Sequence, residues 1–234
     1  MAEKYNTRGP TKLTELMKRI IIICEGPTET EFCKDVLYAH FFAKKIIILT
    51  PLIKKSGGGI VPWDNLKKQI ESHLLQEKDS IVSTLIDYYG IKKKFEFPCW
   101  ENAHKEIDKN LRMSILESGM KEAVNKSIAH RFLPYIQLHE FEGLLFNNIE
   151  AFANHIPSGD FVNKSELEQI LVSNPNPELI NDTPDNAPSH RLKRLIKGYN
   201  KIVYGSILAQ EIGLQKIRAK SPRFSEWINK LENS

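Results

Sequence analysis

Acidic side chains follow three apolar segments of the chain, at the points where predicted strands end. Glu25 follows residues 20–24, Asp87 follows residues 80–86, and Glu140 and Glu142 come shortly after residues 132–138. Clustered carboxylates without His or Cys partners favour a hard ion with oxygen ligands, Mg²⁺ or Mn²⁺, and such ions usually act on phosphates. These four residues are therefore candidate catalytic residues and metal ligands for phosphodiester hydrolysis.

Each of these acids also has a structural interpretation. Glu25 and Glu29 could complement the dipole of the helix that follows them, which suits Glu29 better because Glu25 lies on the strand side of a Gly-Pro corner. Asp87 taken alone could start a turn before Gly90. His139 is more typical of a hydrogen-bonded structural residue than of a ligand. The coincidence of three strand ends favours a shared site over surface ion pairs with lysines.

The elements that must position these residues follow from the hydrophobic pattern. Strands are predicted at residues 20–24, 45–49, 80–86 and 132–138, and helices at residues 28–42, 62–75 and 100–118. Parallel strands joined by helices would bring the acids to one edge of a sheet. The last third is predicted to be helical, with segments at residues 146–156, 165–172, 189–201 and 221–231.

Basic residues near these elements could contact a phosphate backbone. Lys92 and Lys93 follow Asp87 closely, and Arg191 and Arg194 are one turn apart on the most basic predicted helix, which also carries Lys197. A solvent-facing amphipathic helix is about as plausible for the second group. The glycine-rich residues 56–59 lack the Lys-Ser/Thr pair of a Walker loop, so we interpret them as a hinge, a connector or a loop that lets backbone approach a ligand.

Composition limits the class of protein. The chain has 234 residues and a net charge of +4, which permits a polyanionic partner without requiring one. Its three cysteines form no zinc pattern, and their odd number together with a polar N-terminal stretch predicts a reducing, cytoplasmic location. No apolar run is long enough for a membrane span, so no membrane association is expected.

Several motifs carry a resemblance to a known family. CEGPTE, IDYYG, PYIQLHEFEGLLF, PELIND, APSHRLKR, GYNK, IGLQKIR and FSEWINKL resemble a bacterial Toprim-like family, domain of unknown function 4276, over nearly the whole chain from about Lys18. The resemblance relates the chain to the Toprim domains of overcoming-lysogenization-defect nucleases. It implies a Toprim-like, Rossmann-like α/β fold with a mostly parallel sheet. Residues 18–150 would form the catalytic domain, and residues 151–234 a helical region packed on it.

The resemblance also implies an activity. Glu25 resembles the Toprim glutamate and Asp87 the first aspartate of the Asp-x-Asp motif, but Tyr89 stands at the second position, which leaves Glu140 or Glu142 to complete the metal shell. We therefore expect a Mg²⁺- or Mn²⁺-dependent nuclease acting on DNA or RNA, tRNA included. Related nucleases work with an ATPase of the AAA or ABC type in anti-phage defence, so such a partner is also expected. The sequence leaves open whether the chain forms a homo-oligomer.

Two alternatives remain at this stage. The missing second aspartate favours a non-catalytic Toprim-like regulatory module that binds nucleic acid or an ATPase partner. A third interpretation is a phosphatase or nucleotide-transfer enzyme that uses the same acids on a small substrate. Topoisomerase and primase activities are disfavoured because the chain lacks room for their additional domains.

Overall fold

A parallel five-stranded sheet forms the centre of the protein, whose computed structural model describes residues 17–54, 57, 59–180 and 184–234. Its strands are β1 (Lys18–Cys24), β2 (Ile46–Leu49), β3 (Ile81–Asp87), β4 (Phe132–Leu133) and β5 (Ile136–Gln137). The order is β2-β1-β3-β4, with β5 pairing to the C-terminal end of β3, and every pairing is parallel. The α/β class with a parallel sheet is thereby confirmed.

Helices cover both faces of this sheet. They are α1 (Pro27–Phe32), α2 (Tyr38–Ala43), α3 (Trp63–Gln76), α4 (Trp100–Ala103), α5 (Lys109–Ala123), α6 (Ile149–His155), α7 (Lys164–Ser173), α8 (Pro188–Leu195), α9 (Lys201–Ile212), α10 (Leu214–Lys220) and α11 (Pro222–Glu232). A π-helical segment, Cys33–Leu37, joins α1 to α2. No helix in the described part of the chain is long and apolar enough to cross a bilayer.

The continuous apolar run of β1 is explained by burial on both of its faces. Ile20 and Ile22 belong to a core built with α1, α2 and the C-terminal helices, whereas Ile21 and Ile23 belong to a second core built with α3 and α5. A strand buried on both sides needs apolar residues at every position rather than at alternate ones. The helices after residue 150 therefore share a core with the first strand.

Two predicted elements are interrupted. The prediction of one helix at residues 100–118 is wrong, because a non-helical segment separates α4 from α5. In this segment Ile107 has 93% of its surface exposed. Asp108 caps the new helix by accepting a 2.7 Å hydrogen bond from the N–H of Asn110. The strand predicted at residues 132–138 is split at Pro134. At this point the Thr84 hydroxyl takes the place of the backbone hydrogen bonds between the strands. It donates to the Tyr135 carbonyl at 2.9 Å and accepts from the Tyr135 N–H at 3.0 Å.

The helix predicted at residues 189–201 is also wrong, and this error bears on the site. Helix α8 ends at Leu195, Gly198 adopts a left-handed backbone with φ of 70°, and α9 starts at Lys201. The side chain of Asn200 caps α9 by accepting a 3.0 Å hydrogen bond from the N–H of Ile202. Lys201 therefore opens a new helix instead of extending the basic one.

Candidate active site

Glu25 and Asp87 lie side by side at the C-terminal edge of the sheet. Strands β1 and β3 are neighbours with Cys24 opposite Leu85, so the residue after β1 reaches the last residue of β3. The Glu25 Oε2 atom accepts a 2.9 Å hydrogen bond from the backbone N–H of Asp87. Two of the acids expected to share a site are thus brought together by strand pairing alone.

Asp87 in turn positions the third acidic segment. Its Oδ1 atom accepts a 3.0 Å hydrogen bond from the backbone N–H of Phe141, the first residue of the 3₁₀ turn Phe141–Leu145. Asp87 is only 9% exposed, so this bond also satisfies part of the hydrogen-bonding capacity of a buried carboxyl group. The contact fixes Glu140 and Glu142 on either side of Phe141 next to the strand end.

A cavity of about 370 Å³ opens above these residues. The residues that line it are Glu25, Gly59, Ile60, Asp87, Tyr89, Gly90, Lys92, Phe95, Glu140 and Lys201. It lies outside the carboxyl ends of β1 and β3, where ligands bind in open α/β sheets. Gly59, in the glycine-rich loop, forms part of its wall with φ of 144°, although residues 55, 56 and 58 lie outside the described chain.

Glu140 lines this cavity but is held by a helix. Its two carboxylate oxygens accept hydrogen bonds from Ser189, at 2.9 Å from the backbone N–H and 3.0 Å from the hydroxyl. Ser189 lies in the first turn of α8, where unpaired N–H groups and the helix dipole favour an anion. Glu140 therefore anchors α8 to the edge of the sheet, a role that its sequence position did not predict.

Glu142 is the most deeply buried acid of the group, with 1% of its surface exposed. Among the residues that the structure describes, its Oε1 atom has no hydrogen-bond partner, and the Lys201 ammonium lies 4.0 Å from it. Lys201 is half-exposed and faces the cavity, so it connects the buried carboxylate to the open space. Lys201 is not among the site residues predicted from the sequence. The glycine at 198 followed by the helix-capping Asn200 was the available signal for a break and a new helix.

A close helix contact places Lys201 at the site. Helix α9 packs on α1 at Gly205, where an added Cβ would come within 3.1 Å of the Thr28 methyl group. A side chain at this position would push the two helices apart. Lys201 lies one turn before Gly205 on the same helix face. The contact therefore sets the distance between the lysine and the strand-end carboxylates.

Burial dominates the electrostatics of the cluster. It raises the pKa of Glu25 to about 7 despite the Asp87 N–H bond, and the nearby Glu29 charge adds to the effect. Burial, followed by the charges of Glu29 and Glu25, raises the pKa of Asp87 well above its usual value. Burial likewise raises the pKa of Glu142 to about 7. Burial and mutual repulsion thus disfavour the ionised forms of these carboxyl groups, and a bound cation would stabilise those forms.

Lys201 supplies part of that positive charge. Burial disfavours its ammonium form, but the carboxylates of Glu142 and Glu29 outweigh this effect and raise its pKa. The lysine therefore stays protonated over the whole neutral range. Strongly perturbed carboxyl groups beside a fixed cation in a cavity are typical of functional sites.

Glu29 and His139, the other polar residues predicted near the site, are both buried. Glu29 is 3% exposed, and its Oε2 atom comes within 3.1 Å of where a Cβ on Gly26 would lie, so it turns back toward the Gly-Pro corner. Burial raises its pKa, which makes it a member of the acidic cluster. His139 is 5% exposed, and its carbonyl accepts a 3.1 Å bond from the Tyr89 N–H. Burial, then the charges of Lys109 and Arg112, lower the pKa of His139 to about 4.

The predicted basic contacts separate into two groups. Lys92 lines the cavity. The ammonium of Lys93 pairs with Glu101 at 2.7 Å, Arg194 pairs with Glu166, and Arg191 donates to the Asn186 carbonyl at 2.7 Å. Lys197 lies in the loop between α8 and α9. Of these residues, Lys92 has the position expected of a contact to a ligand in the cavity, and the phosphate contacts at the other four stay predictions.

The residues present fit a divalent ion held by few protein ligands. Within the described ranges no group of three or more His, Cys, Asp or Glu side chains is arranged to hold a metal ion. Mg²⁺, however, is usually bound by one or two carboxylates together with water and substrate phosphate oxygens. Glu25 and Asp87 could supply such a pair of hard oxygen ligands, and a bound cation would stabilise their ionised forms.

Comparison with known proteins identifies the family. The family model described as Domain of unknown function (DUF4276) matches residues 24–232, and the chain therefore belongs to this family. No curated protein and no solved structure matches the chain. The family description names no activity, so the function has to be argued from the site.

Proposed function

We propose that this DUF4276 protein is a metal-dependent phosphodiesterase that cleaves nucleic acid. The observation that carries the proposal is the pairing of Glu25 with Asp87 at the C-terminal edge of a parallel sheet, beneath a cavity that also contains Lys201. The resemblance of CEGPTE and IDYYG to the Toprim motifs supports the same assignment. Hard oxygen ligands beside a cavity of about 370 Å³ suit Mg²⁺ or Mn²⁺ acting on a phosphodiester.

The chain's own residues divide the work of the reaction. Asp87 and Glu25 would hold the ion, which when bound would neutralise the non-bridging phosphate oxygens and orient the attacking water. The water oxygen would attack phosphorus while its proton passes to the Glu25 carboxylate, which lines the cavity beside Asp87. The bond between phosphorus and the leaving ester oxygen then breaks. That oxygen takes a proton from the Lys201 ammonium.

The remaining acids position these groups. Glu142 holds the Lys201 ammonium from below at 4.0 Å, which keeps the cation directed at the cavity. Glu140 binds the first turn of α8 and so keeps the C-terminal helices closed over the edge of the sheet. Tyr89 stands where Toprim proteins have their second aspartate, so Lys201 would supply positive charge that a second ion supplies elsewhere.

Cleavage assays with a matched pair of variants test the proposal. Purified protein should cleave DNA or RNA oligonucleotides with Mn²⁺ or Mg²⁺ and not with a chelator. Glu25→Gln should lower the rate at least about 100-fold, whereas Glu31→Gln, which alters a surface ion pair with Lys34, should not. Normal cleavage by the Glu25→Gln protein would refute the assignment. An anti-phage role with an ATPase partner would be tested separately, by co-purification from the native host.

A second candidate function is a non-catalytic module that binds nucleic acid or an ATPase partner. One observation favours it: among the described residues, no three potential ligands are positioned to hold an ion by themselves. Calorimetric titration with Mn²⁺ separates the two candidates. If no binding occurs at millimolar metal, the non-catalytic module is supported. If Mn²⁺ binds and Asp87→Asn abolishes that binding, the enzyme is supported.

A further inference from the structure

The segment after β3 surrounds the carboxylates with aromatic and basic side chains. Tyr89 and Phe95 line the cavity together with Lys92, and the Lys94 ammonium lies 5.5 Å from the centre of the Phe95 ring. Tyr89 remains 38% exposed, although large aromatic side chains are usually covered. Aromatic rings interleaved with cations are the chemistry that binds bases and phosphates of a single strand.

The carboxylates and the aromatic rings share one open cavity. Asp87, which is 9% exposed, lines it together with Tyr89 and Phe95. Its volume of about 370 Å³ is at the small end of the range for ligand pockets and suits one or two nucleotides. The bases of a duplex are paired and stacked on one another, so they are not free to stack on Tyr89 or Phe95, whereas the bases of an unpaired strand are.

From these features we infer that the site takes unpaired, single-stranded nucleic acid, with a base stacked on Tyr89 or Phe95 and the adjacent phosphate directed to Glu25 and Asp87. The inference rests on the proposed function and adds the class of substrate. Tyr89 would thus stack on a base, at the position where the Toprim motif has an acid. Lys92 provides the cation for the next phosphate along the strand.

Binding measurements without cleavage test this inference. Fluorescence anisotropy of labelled oligonucleotides is recorded on the full chain with Ca²⁺ in place of Mg²⁺, and the oligonucleotides are checked afterwards on a gel. The probes are single-stranded DNA, single-stranded RNA, the corresponding duplexes and an abasic single strand. Single strands should bind at least about tenfold more tightly than duplexes, and removal of the bases should abolish most of that advantage.

Matched variants identify the contacts. Tyr89→Ala should weaken single-strand binding roughly tenfold and leave the abasic strand unaffected. Tyr89→Phe should retain binding, because stacking needs the ring and not the hydroxyl. The control is Tyr38→Ala, since Tyr38 is 42% exposed on α2 and does not line the cavity. Lys92→Ala should weaken the binding of all single strands, whereas Lys34→Ala, which loses a surface pair with Glu31, should not.

A spectroscopic readout distinguishes stacking from a structural role of the tyrosine. The fluorescence of a single strand that carries 2-aminopurine should be quenched when the strand binds the wild type or the Tyr89→Phe protein. With saturating Tyr89→Ala protein it should not be quenched. Equal affinity for duplex and single strand, or unchanged binding by both Tyr89→Ala and Phe95→Ala, would overturn the inference. If duplex DNA is then still cleaved in a Glu25-dependent manner, the proposed function stands. If no oligonucleotide is bound or cleaved, both fail.

Discussion

The carboxylate of Glu25 accepts a hydrogen bond from the backbone N–H of Asp87, at 2.9 Å, across the two central strands of the sheet. This bond makes the position of one acid depend on the backbone of the other. A change at either strand end should therefore affect both residues.

Asp87→Asn should stabilise the protein without metal and remove its response to metal. Burial, followed by the charges of Glu29 and Glu25, raises the pKa of Asp87, so ionising it in the folded protein costs stability. A neutral amide avoids that cost, and its oxygen can still accept the Phe141 N–H bond. With Mg²⁺ at 100 times its dissociation constant, the wild-type melting temperature should rise by about 5–10 °C. Differential scanning fluorimetry with and without chelator measures both effects.

Asp64→Asn is the control for that experiment, since Asp64 is an exposed residue of α3. It should melt like the wild type with metal and with chelator. A Mg²⁺-dependent increase that persists in the Asp87→Asn protein would contradict the proposed ligand.

Glu142→Gln should flatten the pH dependence of stability. The folded-state pKa of Glu142 is raised from 4.5 to about 7, so its contribution is present below pH 4.5 and is lost as the pH rises through 7. The wild type should lose about 3 kcal/mol more unfolding free energy than the variant between pH 4.5 and pH 8. Urea unfolding in chelator at a series of pH values measures the difference. Parallel curves for the two proteins would refute the shifted pKa.

Lys201→Ala should reduce cleavage about 100-fold, because the cation that faces the phosphate is removed. The loss of its charge should also raise the pKa of Glu25, so the acid limb of the pH–rate profile should move to higher pH. Arg194→Ala is the comparison: that guanidinium pairs with Glu166, outside the cavity, and its removal should leave the rate within a factor of two. A larger effect of Arg194→Ala than of Lys201→Ala would instead support the basic helix predicted from sequence.

Gly90→Ala should lower activity while leaving the fold intact. An added Cβ would lie 3.0 Å from Oε1 and 3.5 Å from Oε2 of Glu25, and 3.5 Å from the Cβ of Ile60. The carboxylate must therefore shift from its place beside Asp87, and we expect a decrease of about tenfold in kcat. Gly159→Ala is a matched control, since its Cβ would meet no atom within 4 Å. Equal rates for the two variants would show that the position of Glu25 is not critical.

The local pattern of the chain predicted the scaffold of the site well. Runs of Ile, Val and Leu determine β1, β2 and β3, of which β1 and β3 are buried on both faces. Parallel pairing then brings Glu25, just after β1, next to Asp87, the last residue of β3. The sequence also predicted that a proline opens α11 and that Phe224 and Trp227 of this helix face the core. These features depend on neighbours close in sequence or on the general rules of sheets.

Tertiary structure alone decided which other side chains join the site. Lys201 reaches the acids because Gly205 lets α9 approach α1, a contact between residues almost 180 positions apart that no periodicity encodes. Glu140, a predicted metal ligand, accepts hydrogen bonds from Ser189, and Arg194, a predicted phosphate contact, pairs with Glu166. Both predicted roles stay predictions, but neither of these partners follows from the local pattern. The sequence determines where a carboxylate leaves a strand. Which partner then satisfies that charge depends on long-range packing, since burial and pairing are properties of the folded chain.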